Sequence, residues 1–367
     1  MGVSGSPAGG NEPTGPAVLP AHRRRDGVRL ALVATVLLVS GACSHAPPPT
    51  ETAKVERRDD WLLALTSDLD RIAANDGFEG RVRVLHGGKP EVDRTFGDPV
   101  CLPLGAGRRL LAAVAVGLLV EGGKLAWEDR LEQRLPSTAA TSFGPLTVAN
   151  LLTDSAGLAP ASQPVGERKG DELDWLLKTA GKFPLRAAPG TLVDPADHRP
   201  WILVEGVVTQ VSGQSFERFV QERITSPMGM TGSSLGETPA CPGVAGGTTT
   251  LEDQFRFIDA LRAGKVVSPQ TRAALWEPRL PLGPGSEVGY GFFIRTRGDQ
   301  RAVGVSTEGA ATAYELWLDP AGTDALVLLG CSPAKSARAI RTALGEFYAL
   351  PPRPQQASSP AKRPSAR

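Results

Sequence analysis

Three short patterns in this chain could support nucleophilic chemistry. Ser332 with Lys335, and Ser359 with Lys362, have S-x-x-K spacing. On a helix that spacing stacks an amine one turn from a hydroxyl, close enough to take its proton. Ser332 is followed by Pro333, however, and reads as the cap of a closing helix over 335–348, while Ser359 lies in a Pro-rich tail. Gly232-Ser233-Ser234-Leu235-Gly236 fits G-x-S-x-G, which presents a serine only on a sharp turn from strand to helix. Here a predicted helix and the PMGM loop precede it, so the match reads as chance. Asp197-His198 has the residue types of a hydrolytic pair, but adjacent side chains usually point apart and no serine is evidently placed beside them. Of the other histidines, His22 and His45 fall outside the predicted domain and His86 sits at a predicted hairpin. No cluster has metal-ligand spacing and no Gly-rich phosphate loop follows a strand, so no cofactor is expected.

The elements that would position these residues follow from hydrophobic periodicity. Trp61, Leu62, Leu65, Leu69 and Ile72 recur at helical spacing. Two short strands, 80–86 and 90–96, flank Gly87-Gly88-Lys89-Pro90, which is hairpin punctuation. From about 107 to 268 the pattern is mostly helical, with helices over 107–122, 171–180, 199–211, 215–224 and 251–263. Strand signals return at 288–296, 301–305, 312–318 and 324–330, before the closing helix. No internal repeat is visible. This order predicts an α+β fold, an antiparallel sheet flanked by its N- and C-terminal helices with an inserted helical lobe. The sheet lobe is expected over about 56–106 and 285–350, and the helical lobe over about 107–284.

The chain has 367 residues and a formal net charge of +1, from 40 basic and 39 acidic residues. That balance argues against nucleic acid as a partner. The folded part, 56–350, is mildly acidic, while the tail 351–367 carries four basic and no acidic residues and reads as disordered. Near the start, the apolar run 30–40 follows Arg23, Arg24, Arg25 and Arg29. It is too short to span a membrane and has the length of a signal-peptide core. It ends in Ser40-Gly41-Ala42-Cys43, which resembles a bacterial lipobox with Ser40 as a departure. Residues 1–43 are therefore expected to be a signal peptide with Cys43 as the lipidated residue, and 44–55 a Pro-rich tether. Ordinary signal cleavage beside a plain Cys43 is the other reading. Four cysteines at wide spacing exclude a zinc ribbon and a disulfide scaffold. With Cys43 lipidated, Cys101, Cys241 and Cys331 allow at most one disulfide.

Several strings carry a resemblance. PLTVANLLTDSAGL (145–158) is close to "iTvrhLLtHtSGL". APGTLVDPADHRPWILVEGVVTQVSGQSFERFVQERITSPMGMT (188–231) follows "PGt.f.YSN.gy.lLg.iie.vsGqsy..f..eri..PlGM.dT". LLVEGGKLAWEDRLEQRLP (118–136), GGTTTLEDQFRFIDALRAGKVVS (246–268) and VGYGFFIR (288–295) match further segments in order. In these strings, over about 60–350, the chain resembles the serine β-lactamase and D-Ala-D-Ala peptidase-like family, in its class C and esterase-like branch. The resemblance implies a serine and a lysine in S-x-x-K opening a helix, a Tyr-x-Asn supplying base and amide, and a K-T-G or H-x-G on a strand edge.

Each motif is replaced here. S-x-x-K falls on Ala106-Gly107-Arg108-Arg109: Ala106 has no oxygen, and the Arg109 guanidinium keeps its proton near neutral pH. Tyr-x-Asn falls on Pro195-Ala196-Asp197, and the three tyrosines, Tyr290, Tyr314 and Tyr348, all lie outside the predicted helical lobe. The third motif falls on Thr307-Glu308-Gly309, keeping only the glycine.

Because the family's lysine and asparagine are neighbours, Arg109 and Asp197 are expected to form an ion pair in the former active site, joined by Glu308. The competing arrangement has Arg109 facing solvent and Asp197 capping the next helix. Two functions follow: a non-catalytic envelope lipoprotein that binds a ligand, such as a peptidoglycan fragment, or an envelope protein; and a weak or altered serine hydrolase using an unidentified nucleophile. A third is a purely structural envelope protein with a filled cleft.

Overall fold

The computed structural model describes residues 51–99, 101–159, 172–179, 184–236, 246–298, 300–306, 312–331 and Ala339. Helix α1 (Glu51–Asp76) opens this part, with Leu65, Leu69 and Ile72 buried on one face. The hairpin β1 (Glu79–His86) and β2 (Lys89–Phe96) follows. β3 (Leu280–Gly283), β4 (Ser286–Val288), β5 (Phe293–Arg297), β6 (Gln300–Ser306), β7 (Thr312–Leu318) and β8 (Ala325–Cys331) complete one sheet. Its order is β2-β1-β8-β7-β6-β5-β4-β3, every neighbour antiparallel. The apolar run of β8 lies between the early hairpin and the late strands, so the two ends of the domain close into a single sheet.

Between the hairpin and β3 run α2 (Gly107–Glu121), α3 (Leu131–Arg134), α4 (Val148–Leu152), α5 (Glu172–Thr179), α6 (Arg199–Ser212), α7 (Phe216–Val220), α8 (Leu251–Arg262) and α9 (Pro269–Leu275). After α7 the chain makes a π-helical turn, Gln221–Thr225. Residues Leu110 to Val116 of α2 are all buried, as a helix apolar on every side requires. It is enclosed by α6, α7 and α9. The α+β architecture is thus the expected one.

Several boundaries differ from the expectation. Helix α1 already starts at Glu51, so 51–55 are helical rather than tether. The sheet begins at Leu280, inside the segment assigned to the helical lobe; Pro281 and Gly283 weaken the strand signal of so short an edge. Helix α8 lies against β1 and β8, where Arg81 and Arg83 reach Glu252. The predicted strand 288–296 is broken at 289–292, where Gly291 adopts φ 79° and a Cβ would stand 2.4 Å from the Ala113 Cβ. Only glycine lets this turn approach α2 so closely. The signal segment, the lipobox and the basic tail lie outside the described residues, as does the closing helix except for Ala339, which is helical.

Candidate functional site

The site is built where α2 begins. Ala106 precedes the helix with αR backbone and contributes no side-chain cap. Gly107 meets the sheet, since a Cβ there would lie 2.6 Å from the Tyr314 hydroxyl. That hydroxyl is completely buried and donates to Gln254 Oε1. Burial raises its pKa far above the ordinary phenol value, so it stays a donor and cannot serve as a base. From Gln254 the polar chain continues to Thr249, Ser233 and Asp253, at 2.7, 2.8 and 2.8 Å.

Arg109, in the first turn of α2, does not pair with Asp197. Its Nη2 donates to Asp154 Oδ2. The residue that receives it follows α4, a short helix capped by Thr147 and Asn150, which accept from each other's backbone N–H. Asp154 then takes φ 52°, a left-handed conformation that aspartate tolerates better than most residues. Backbone bonds hold the turn from both sides: Gly291 N–H donates to the Leu152 carbonyl, Asp194 N–H to the Asp154 carbonyl and Gly190 N–H to the Ser155 carbonyl, each at 2.8 Å. So fixed, the carboxylate points inward. Trp201 Nε1 donates to Oδ1 at 2.7 Å, and no part of the side chain is exposed. The Arg109 Cζ lies 4.6 Å from the Trp201 ring centroid and 5.4 Å from that of Phe293, between two aromatic faces.

Burial dominates the electrostatics. It pushes Asp154 up to about 6, against the lowering effect of Arg109 and the two hydrogen bonds, and the nearby negative charge of Asp197 pushes the same way as burial. Burial also lowers His198, followed by the Arg109 charge, so this imidazole is neutral at pH 7.

Asp197 is committed elsewhere. Its Oδ1 accepts from the backbone N–H and Nε of Arg199 at 3.0 and 2.8 Å, and its Oδ2 from Nη2 at 2.7 Å. Two residues apart at the start of α6, the pair closes a fork that Arg109 would have to break. The expected Arg109–Asp197 bridge is therefore replaced by two separate pairs, and Arg109 is turned inward rather than to solvent. Pro195 lies in the Asp194–Asp197 turn, which the Asp194 N–H ties to Asp154. The structure thus brings Ala106, Arg109, Pro195 and Asp197 into one neighbourhood; Thr307, Glu308 and Gly309 lie outside the described residues, just beyond β6. Asp154 and Trp201 were not singled out from the sequence. The available signal was TDSAGL, where Asp154 replaces the histidine of the string "LLtHtSGL".

Of the other motifs, Ser332 with Lys335 and Ser359 with Lys362 lie outside the described residues. Ser234 sits in a two-residue bridge with Thr248, and its hydroxyl donates to the Gly236 carbonyl at 3.2 Å. His86 Nδ1 lies 2.7 Å from Asp324 Oδ2 at the hairpin. Among the described residues no group of three His, Cys, Asp or Glu could hold a metal ion, and no helix is long and apolar enough to cross a membrane.

The beta-lactamase family model matches residues 82–342, from β1 to beyond β8. The chain belongs to the beta-lactamase family. Within it, PbpX of Bacillus subtilis (strain 168), a penicillin-binding protein by name, is 24% identical over 255 residues, covering 59% of this chain. The chain spans 62% of the length of that relative. A penicillin-binding protein from Bacillus halodurans superposes with a TM-score of 0.64 at 19% identity, covering 76% of this chain and 99% of that one. An octameric penicillin-binding protein homologue from Pyrococcus abyssi gives 0.65 at 18% identity, covering 78% of each chain. D-amino acid amidase from Ochrobactrum anthropi SV3 gives 0.63 at 15%, covering 78% and 98%. At these identities the likeness establishes the fold: this is a serine-hydrolase-like member of the beta-lactamase family.

Proposed function

We propose that this beta-lactamase-family chain is an envelope lipoprotein that has lost acyl transfer and acts by binding a ligand or a protein partner. The observation that carries the reading is the buried Arg109–Asp154 bridge behind Ala106. Acyl transfer needs an oxygen that can attack and a group that takes its proton. Here the first position has none and the second holds a guanidinium already bound to a carboxylate. The relatives that carry a penicillin-binding name favour a peptidoglycan fragment as the ligand. Export is supported by the Arg-flanked apolar run, the small residues before Cys43 and the disulfide at Cys101, a bond rare in reducing compartments. The lipid on Cys43 would supply the membrane attachment.

The test is covalent labelling. Purified protein is incubated with a fluorescent penicillin and a fluorophosphonate probe, and nitrocefin turnover is followed in parallel. No labelling and no turnover are expected. A probe adduct mapped to a residue of the cleft would establish the other reading, a weak hydrolase with its own nucleophile. The amidase among the structural neighbours makes that the relevant alternative.

A further inference from the structure

We infer, resting on the binding role proposed above, that the ligand of the former active site carries a carboxylate, which the unfilled donors of Arg109 receive. A guanidinium has five N–H donors on three nitrogens. A carboxylate partner can fill its side-on fork with both oxygens, as Glu205 does for the neighbouring Arg108, whose Nε and Nη2 donate to Oε1 and Oε2 at 2.6 and 2.8 Å. The fork of Arg109 is only half filled. Asp154 Oδ2 takes Nη2, while Oδ1 is turned to Trp201, so Nε is buried with no acceptor. Nη1 makes no hydrogen bond among the described residues either. A buried N–H left without an acceptor carries its full desolvation cost, which an incoming oxygen relieves. The side chain is 10% exposed, so the guanidinium is not sealed from the cleft.

The surroundings select the shape of the ligand group. With the Trp201 and Phe293 rings against the guanidinium, an acceptor has to approach near its plane. A planar carboxylate does so with both oxygens, whereas a tetrahedral phosphate or sulfonate aims oxygens at the negative faces of the rings. Asp197 does not compete for these donors, because both of its oxygens are held by Arg199. Charge then decides when the ligand binds. An ionised Asp154 neutralises Arg109 and repels a second carboxylate, and protonation removes both effects. Burial, against the Arg109 charge, has already pushed Asp154 up to about 6. Binding is therefore coupled to proton uptake, and affinity rises as pH falls through that value. The other charged groups acting here are Asp197 and His198 at the start of α6, with Glu172 of α5 acting on His198. From β5 the neighbour is Phe293.

The test uses two anions that share a ring and a charge but differ in shape. Full-chain protein is titrated calorimetrically with benzoate and with benzenesulfonate, one pH unit or more to either side of the Asp154 value. Saturable one-site binding of benzoate is expected, about tenfold or more tighter on the acid side, with benzenesulfonate weaker. Asp154→Asn frees Arg109 at every pH, so it should bind benzoate about tenfold or more tighter on the alkaline side and lose most of the pH dependence. Adding Arg109→Gln to Asp154→Asn should abolish binding, in a protein that carries no stranded buried charge and whose folding circular dichroism checks. The proposal is overturned if benzoate does not bind saturably at millimolar concentration to Asp154→Asn, or if the double variant binds as tightly as Asp154→Asn. Equal affinity for benzenesulfonate overturns the carboxylate, and a pH dependence undiminished in Asp154→Asn assigns the proton to His198 and overturns the coupling. A penicillin adduct would bear only on the loss of acyl transfer, so the two readings fail separately.

Discussion

Arg109 donates to one oxygen of Asp154 while Trp201 holds the other, so both acceptors of a fully buried carboxylate are occupied. The cost of burying this charge is met only while the guanidinium is present. Replacing Arg109 by Met leaves Asp154 without its counter-charge and should lower unfolding free energy by about 3–5 kcal/mol. Adding Asp154→Asn removes the stranded charge and should recover much of that loss, because Asn accepts a positive φ and keeps an acceptor for Trp201. Urea denaturation of the two variants checks this; equal losses would mean that the bridge contributes no coupling.

The same burial predicts a pH dependence. The folded-state value of Asp154, about 6, stands above its unfolded value near 3.8. The folded form therefore binds the proton more tightly, and the stability this confers is fully present below the unfolded value and lost as pH rises through 6. Between pH 4 and pH 7 the contribution falls by on the order of 2–3 kcal/mol. His198, lowered by burial, acts in the opposite direction, losing stability as pH falls through the imidazole range. The comparison that isolates Asp154 is therefore the difference between the unaltered protein and Asp154→Asn, measured by urea unfolding at several pH values. A difference that does not change with pH would contradict the prediction.

Gly107 tests how tightly the sheet closes on α2. Helix propensity alone would make Gly107→Ala stabilising by roughly 0.5–1 kcal/mol. The new Cβ would stand 2.6 Å from the buried Tyr314 hydroxyl and 2.7 Å from its Cζ. Overpacking should prevail, with a net loss of about 1–3 kcal/mol in chemical denaturation. A gain in stability would show that the tyrosine moves aside freely.

Restoring the two replaced residues of the first motif should not restore acylation. In Ala106→Ser with Arg109→Lys, the lysine would meet the same buried Asp154, which favours its charged form and withholds the free amine needed as a base. Pro195 still supplies no hydroxyl. The double variant should give no penicillin adduct by mass spectrometry. An adduct on residue 106 would show that Asp154 does not hold the lysine protonated.

Much of this protein was legible in its residues alone. Periodicity placed β7 at 312–318 and α2 from 107, and the matching strings identified the family. Such features depend on local pattern and residue type, which a chain carries before it folds. The partner of Arg109 was a different kind of question. Asp197 and Asp154 are both acidic, so charge type could not choose between them. The choice was made by two backbone arrangements: the start of α6, which closes Arg199 onto Asp197, and the left-handed turn after α4, which drives Asp154 inward beneath Trp201. Composition and periodicity do not encode which side chains meet in space; only the folded backbone, by satisfying its own hydrogen bonds first, decided that.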